Sequence, residues 1–238
     1  MRIVADRPGL CIERQGAQRD PWRSGEPLQS LKGRGAGRAV RALVDTRPPF
    51  GVRPVSETTH VSVASLSRTL DLLDREGLVT RGTKGDVSDL DWRGSIRRWV
   101  QDYDFVRSNR VSYFLWPREF STLIPKLRSL SGRYVVTGSV AAERFAPVAP
   151  SKQLSIYVDD IAGAADELGL RRADAGANVL LIEPYDEVVF DRPLVRDELR
   201  VVAPTQLAAD LLTGPGREPP QGEELLDWMG DNVDVWRT

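Results

Sequence analysis

Apolar positions between residues 59 and 85 recur with a helical period. Leu66, Leu70 and Leu73 fall at i, i+4 and i+7, one stripe of an amphipathic helix. Ser62 precedes the stripe, where a hydroxyl can cap the free amides of a first turn. Gly77 follows it, where a left-handed C-cap is wanted. The pattern therefore predicts a helix over 63–76. Upstream, "GRGAGRAV" leads into a helix over 35–44, "DTRPPFG" breaks it, and a short helix follows over about 54–59. Downstream, "LVTRGTKGDVSDLDW" reads as two short strands around a Gly-Lys-Gly turn. Val55 and Val61 supply the apolar positions that pack the second helix on the third.

The period then changes. "DWRGSIRRWVQDYDF" is amphipathic, with Trp92, Ile96, Trp99 and Val100 on one side, and is expected to bridge two halves of the chain. Strand-like runs follow at 110–117, 133–138, 153–158, 178–184, 187–193 and 199–204. Helical runs lie at 118–130, 139–146, 159–170, 204–213 and 222–232. Strands alternating with helices argue for an α/β arrangement, with antiparallel pairing near the end. The expected organisation is an extension over 1–33 with one strand at 9–14, a three-helix and hairpin unit over 34–90, a linking helix over 91–109, and a mixed α/β domain over 110–238. The fold class is α/β (α+β).

Three helices followed by a hairpin describe a winged helix-turn-helix. His60 falls in its turn, where φ > 0 is usual and histidine is tolerated better than most residues. The third helix would expose Ser62, Ala64, Ser65, Ser67 and Arg68, small hydroxyl residues and one guanidinium at a helix start. Such a surface lets the backbone approach phosphates and base edges of double-stranded DNA. Arg81 and Lys84 would arm the wing, and Lys32, Arg34, Arg38 and Arg41 would extend the footprint. Asp71, Asp74 and Glu76 dilute it.

Charge sharpens the division. Residues 1–132 hold 23 Lys and Arg against 15 Asp and Glu, a net of +8; residues 133–238 hold 10 against 19, a net of −9. Either the basic half meets a polyanion or the two halves attract each other. The N-terminus breaks its apolar stretch with Asp6, Arg7 and Pro8, unlike a secretory signal. No apolar run approaches the roughly 18 residues of a membrane span. One cysteine, Cys11, fits a reducing compartment, so a cytoplasmic location is expected.

Other chemistries are weaker. "TGS" at 137–139 with the acids of "YVDD" suggests a nucleotidyltransferase built on Ser139, Asp159 and Asp160, with Glu183 or Asp186 as a third carboxylate. That chemistry needs carboxylates at Asp-x-Asp spacing, because alternate strand residues share a face. Asp159 and Asp160 are adjacent, and either can cap a helix starting at Ile161. The same motif also allows a degenerate nucleotidyltransferase-like fold without the activity. "GRGAGR" at 33–38 lacks the Gly-Lys-Ser/Thr ending of a phosphate loop. A single Cys and a single His make no zinc site, and Ser-His-Asp catalysis would need His60. The tryptophans at 92, 99, 228 and 236 read as core or interface anchors. No catalytic residue, metal or cofactor is expected, although a protein-binding adaptor stays open as an alternative.

"GRAVRALVDTRPPFGVRPVSETTHVSVASLSRTLDLLDREGLVTR", "DWRGSIRRWVQDY" and "RYVVTGSVAAERFAPVAPSKQLSIYVDD" resemble AbiEi-type antitoxins, seen particularly in high-GC actinobacteria. The resemblance runs from about residue 34 to the C-terminus and includes "LLTGPGR…LLDWM". It implies an N-terminal winged helix that binds the promoter of its own operon and a C-terminal domain needed for antitoxicity. It also implies a nucleotidyltransferase-like toxin, countered functionally rather than by direct contact.

Overall fold

The computed structural model describes residues 2–6, 9–13, 28–83, 85–146 and 150–238. The chain is a mixed α/β protein. Strands β1 (Arg2–Asp6) and β2 (Gly9–Glu13) pair antiparallel; β2 matches the expected strand, while β1 has no counterpart in the sequence reading. Then come α1 (Arg34–Val44), α2 (Val52–Thr59), α3 (Val63–Arg75) and a hairpin of β3 (Val79–Arg81) and β4 (Val87–Leu90). Phe50 exchanges both backbone hydrogen bonds with Val87, at 3.0 and 2.9 Å, and so anchors the hairpin to the segment between α1 and α2.

Local signals set the boundaries of α3. The Ser62 hydroxyl accepts from the Ser65 amide at 3.2 Å, an amide shared with the Ser62 carbonyl at 3.0 Å. Gly77 takes φ 75 beyond the helix end, where a Cβ would cost energy. His60 ends α2 in the left-handed region at φ 57, as its place in the turn requires. Leu66, Leu70 and Leu73 are fully buried, and Val55 and Val61 close the contact from α2.

After α4 (Trp92–Trp99) and the short α5 (Phe105–Ser108) comes a seven-stranded sheet. Its elements in chain order are β5 (Arg110–Leu115), α6 (Ile124–Arg128), β6 (Tyr134–Thr137), α7 (Gly138–Ala142), β7 (Leu154–Val158), α8 (Ile161–Leu168), β8 (Arg171–Arg172), β9 (Val179–Glu183), β10 (Leu194–Arg196) and β11 (Leu199–Val201). The strands lie in the order β10-β11-β6-β7-β9-β5-β8, with β11–β6 and β7–β9 parallel and the other pairs antiparallel. Helices α9 (Pro204–Leu212), α10 (Glu218–Asp231) and α11 (Val233–Trp236) complete the chain. Strands β6 and β7 are buried along their whole length, the signature of a sheet covered on both faces.

Three expectations need correction. The run 187–193 is no strand: Glu187–Phe190 forms a 3₁₀ turn, because Asp186 folds back to accept from the Val188 amide at 2.9 Å. The run 118–130 is not one helix but a 3₁₀ turn at Phe120–Thr122 followed by α6, with Pro125 in the first turn of α6. The stretch 91–109, expected as one linking helix, is two, α4 and α5; α4 packs on both α1 and α9, with Ile96 and Trp99 buried. No helix among the described residues is long and apolar enough to cross a membrane.

Candidate functional site

The start of α3 is the open part of the three-helix unit. Ser62, Val63, Ala64 and Arg68 are exposed, and Ser65 and Ser67 are half-buried. Arg68 spends only its Nε on the chain, donating to the Ala64 carbonyl at 3.2 Å, and makes no ion pair among the described residues. Ser65 does structural work: its hydroxyl donates to the Gly35 carbonyl at 3.3 Å and brings the first turn of α1 against that of α3. Arg34, exposed next to Gly35, is therefore a neighbour of the α3 start; Lys32, also exposed, lies toward Asp102, and neither forms an ion pair among the described residues. Arg53, exposed in the first turn of α2 and likewise unpaired, was not singled out by the sequence reading. A basic residue opening the helix before the turn was the signal available for it.

The acids of α3 are used up internally. Arg81 is bound to Asp71 at 3.0 Å and Asp74 at 3.2 Å, and Glu76 is bound by Arg98 at 2.8 Å. Arg81, expected to arm the wing, is thus held toward α3: β3 lies beside the C-terminal half of α3, and two carboxylates share the guanidinium. The same pairing offsets one of the two negative charges of Asp71 and Asp74. Lys84 lies outside the described residues.

Arg38 and Arg41 also leave the expected footprint. Arg38 binds Asp186 at 2.6 Å. Arg41, 2% exposed, donates to the Val188 carbonyl and, at 3.0 Å, to that of Asp191. Both face the sheet half because α1 is sandwiched between α3 and the 186–191 segment.

The charge division is largely consumed in the same way. Arg38, Arg47, Arg93, Arg97, Arg110 and Arg128 of the basic half pair with Asp186, Asp234, Asp227, Glu223, Glu183 and Glu198 of the acidic half. Mutual attraction of the halves therefore accounts for six cations that a polyanion would otherwise have been asked to explain.

Ser139 is not brought to the carboxylates, although Asp159, Glu183 and Asp186 line one open pocket beside Arg34 and Arg38. Tyr134 pairs with Val158 and Thr137 with Ser155, so Asp159 lies at the opposite end of the β6–β7 hairpin from Ser139. The separation is at least four residues of strand, roughly 13 Å at ~3.3 Å per residue. Asp159 holds Arg133 at 2.8 Å, and Asp160 caps α8 by accepting from the Ala162 and Gly163 amides. Glu183 accepts from the Ile161 amide at 3.2 Å, and Asp186 is committed to Arg38 and Val188. At Ser139 itself, the backbone N–H and the hydroxyl face the carboxylate of Glu218. The turn that a triphosphate would need is filled by the chain's own anion.

No protein-family model, no curated protein and no solved structure matches the chain.

Proposed function

We propose that the chain is a DNA-binding transcriptional regulator of the AbiEi antitoxin kind, whose residues 34–90 act as a winged helix-turn-helix on the promoter of its own operon. The α2–His60–α3 turn with its hairpin has the element order such a unit needs, and α3 is the element that would enter the major groove. One observation carries the reading. The first turns of α3 are exposed and hold Arg68 without an ion pair among the described residues, near Arg34, while the acids farther along, Asp71, Asp74 and Glu76, each pair with Arg81 or Arg98. The surface left for a polyanion is cationic at the helix start, where free amides also favour phosphate. The sheet domain then provides the antitoxic part against a nucleotidyltransferase-like toxin, without direct contact.

Fluorescence anisotropy with a labelled duplex from the upstream region of the gene tests this. The protein should bind it with an affinity that falls steeply with salt. Replacing Arg53 and Arg68 by Ala should flatten the salt dependence by about one unit of slope per lost phosphate contact. Binding that ignores both salt and these two substitutions would sink the proposal.

A further inference from the structure

A buried carboxylate, Asp210, and a half-buried one, Glu218, meet one three-residue turn, and DNA binding uses neither. Thr137 donates its hydroxyl to Asp210 at 2.6 Å, and two residues on, the N–H and hydroxyl of Ser139 face the carboxyl of Glu218. Gly138 between them has φ 69, and a Cβ there would lie 2.9 Å from the Glu218 carboxylate. A Cβ on Gly214 would lie 1.9 Å from the other carboxylate oxygen. Glu218, the first residue of α10, is thus boxed between the β6–α7 turn and the α9–α10 loop, in space that only two glycines leave open. "TGS" and "LLTGPGR", far apart in the chain, are two walls of one box.

The box is unfavourable for charge. Burial pushes the Glu218 carboxyl up, the Ser139 N–H opposes this, the negative Asp210 raises it again and the Ser139 hydroxyl opposes, leaving it at about 7. Asp210 is raised to about 6 by burial, against donation from Thr137, Tyr103, Gln206 and Tyr157. From α9, Asp210 is the charged group that acts on Glu218. The neighbouring α7 and β7 present the hydroxyls of Ser139 and Ser155, and Arg217 on the chain's own approach is exposed. The start of α10 favours an anion through its dipole, but burial outweighs it.

We infer that Glu218 and the 137–139 turn form a proton-operated latch that holds the start of α10 to the sheet, closed while the carboxyl is protonated and loosened by its ionisation. The sign follows from linkage. The closed-state value lies above the ordinary one of 4.5, so the closed state binds a proton that the opened state releases. Stabilisation of the closed state is complete below about 4.5 and is lost as pH rises through about 7. The latch reaches past its own turn. Farther along α10, Glu223 and Asp227 hold Arg97 and Arg93 of α4, and Trp228 packs on Phe145 with ring centroids 4.9 Å apart.

Hydrogen exchange of the α10 amides between pH 5 and 8.5, corrected for intrinsic exchange rates, tests the latch in the full chain. The opening constant of the wild type should rise by up to about tenfold per pH unit up to about pH 7 and level off above it. Glu218→Gln, a neutral isostere, should remove most of that rise. An equal rise in the two proteins would overturn the proposal. Ser139→Ala provides a second reading: loss of the hydroxyl that favours the ionised form should move the plateau to higher pH, and an unmoved plateau would count equally against the latch.

Discussion

Tyr185 shows how one side chain can tie the two halves of the molecule together. Its hydroxyl enters the notch left by Gly37 of α1, so a Cβ at 37 would sit 2.1 Å from that oxygen and 3.3 Å from Trp99. The hydroxyl has no hydrogen-bond partner among the described residues, and burial pushes it well above the ordinary tyrosine value. Gly37→Ala should therefore destabilise the fold by about 2 kcal/mol through overpacking. Tyr185→Phe should be close to neutral, because it removes a buried polar group that has nothing to bond. The double variant should recover part of the loss, the Trp99 contact remaining; urea unfolding of the four proteins measures this coupling, and strict additivity would contradict it. Residues whose role depends on near neighbours in sequence were legible: the Ser62 cap, the left-handed His60 and Gly77. Arg81, Arg38 and Glu218 were not, because their partners come from other elements. Asp210 did leave a trace, a lone acid inside the apolar run "QLAADLL".

At the level of elements, the helix period was the most reliable signal. α1, α3 and α4 lie within two residues of their expected starts, because each has a buried stripe and a nearby breaker or cap. Short apolar runs were the least reliable, and "EVVF" turns rather than extends because Asp186 offers its amides a closer acceptor than a neighbouring strand. Helix α10 starts at Glu218, ahead of the expected 222, since Pro219 and Pro220 fit a first turn whose amides need no intrahelical partner. The start of α3 can be weakened separately from its core. Ser62→Ala should cost about 1 kcal/mol of stability, the usual value of a lost N-cap. Thermal unfolding gives the number, and an unchanged midpoint would mean that the Ser65 amide is satisfied otherwise.

Across the whole molecule, the basic and acidic halves are complements first. Six arginines of residues 1–132 bind acids of residues 133–238, and α4 and α1 both pack against the sheet half. On the proposed reading, the cations outside that network are the ones left to meet DNA. The chain-wide charge asymmetry was legible in the sequence but its destination was not, since pairing depends on topology. The partition of cations makes the central claim directly measurable. Salt-dependent binding to the upstream duplex should be recorded for the wild type, Arg68→Ala and Arg110→Ala. The account predicts a slope shallower by about one unit for Arg68→Ala and an unchanged slope for Arg110→Ala, whose guanidinium is held by Glu183 at 2.8 Å. Equal slopes for all three proteins, or no salt-dependent binding at all, would contradict it.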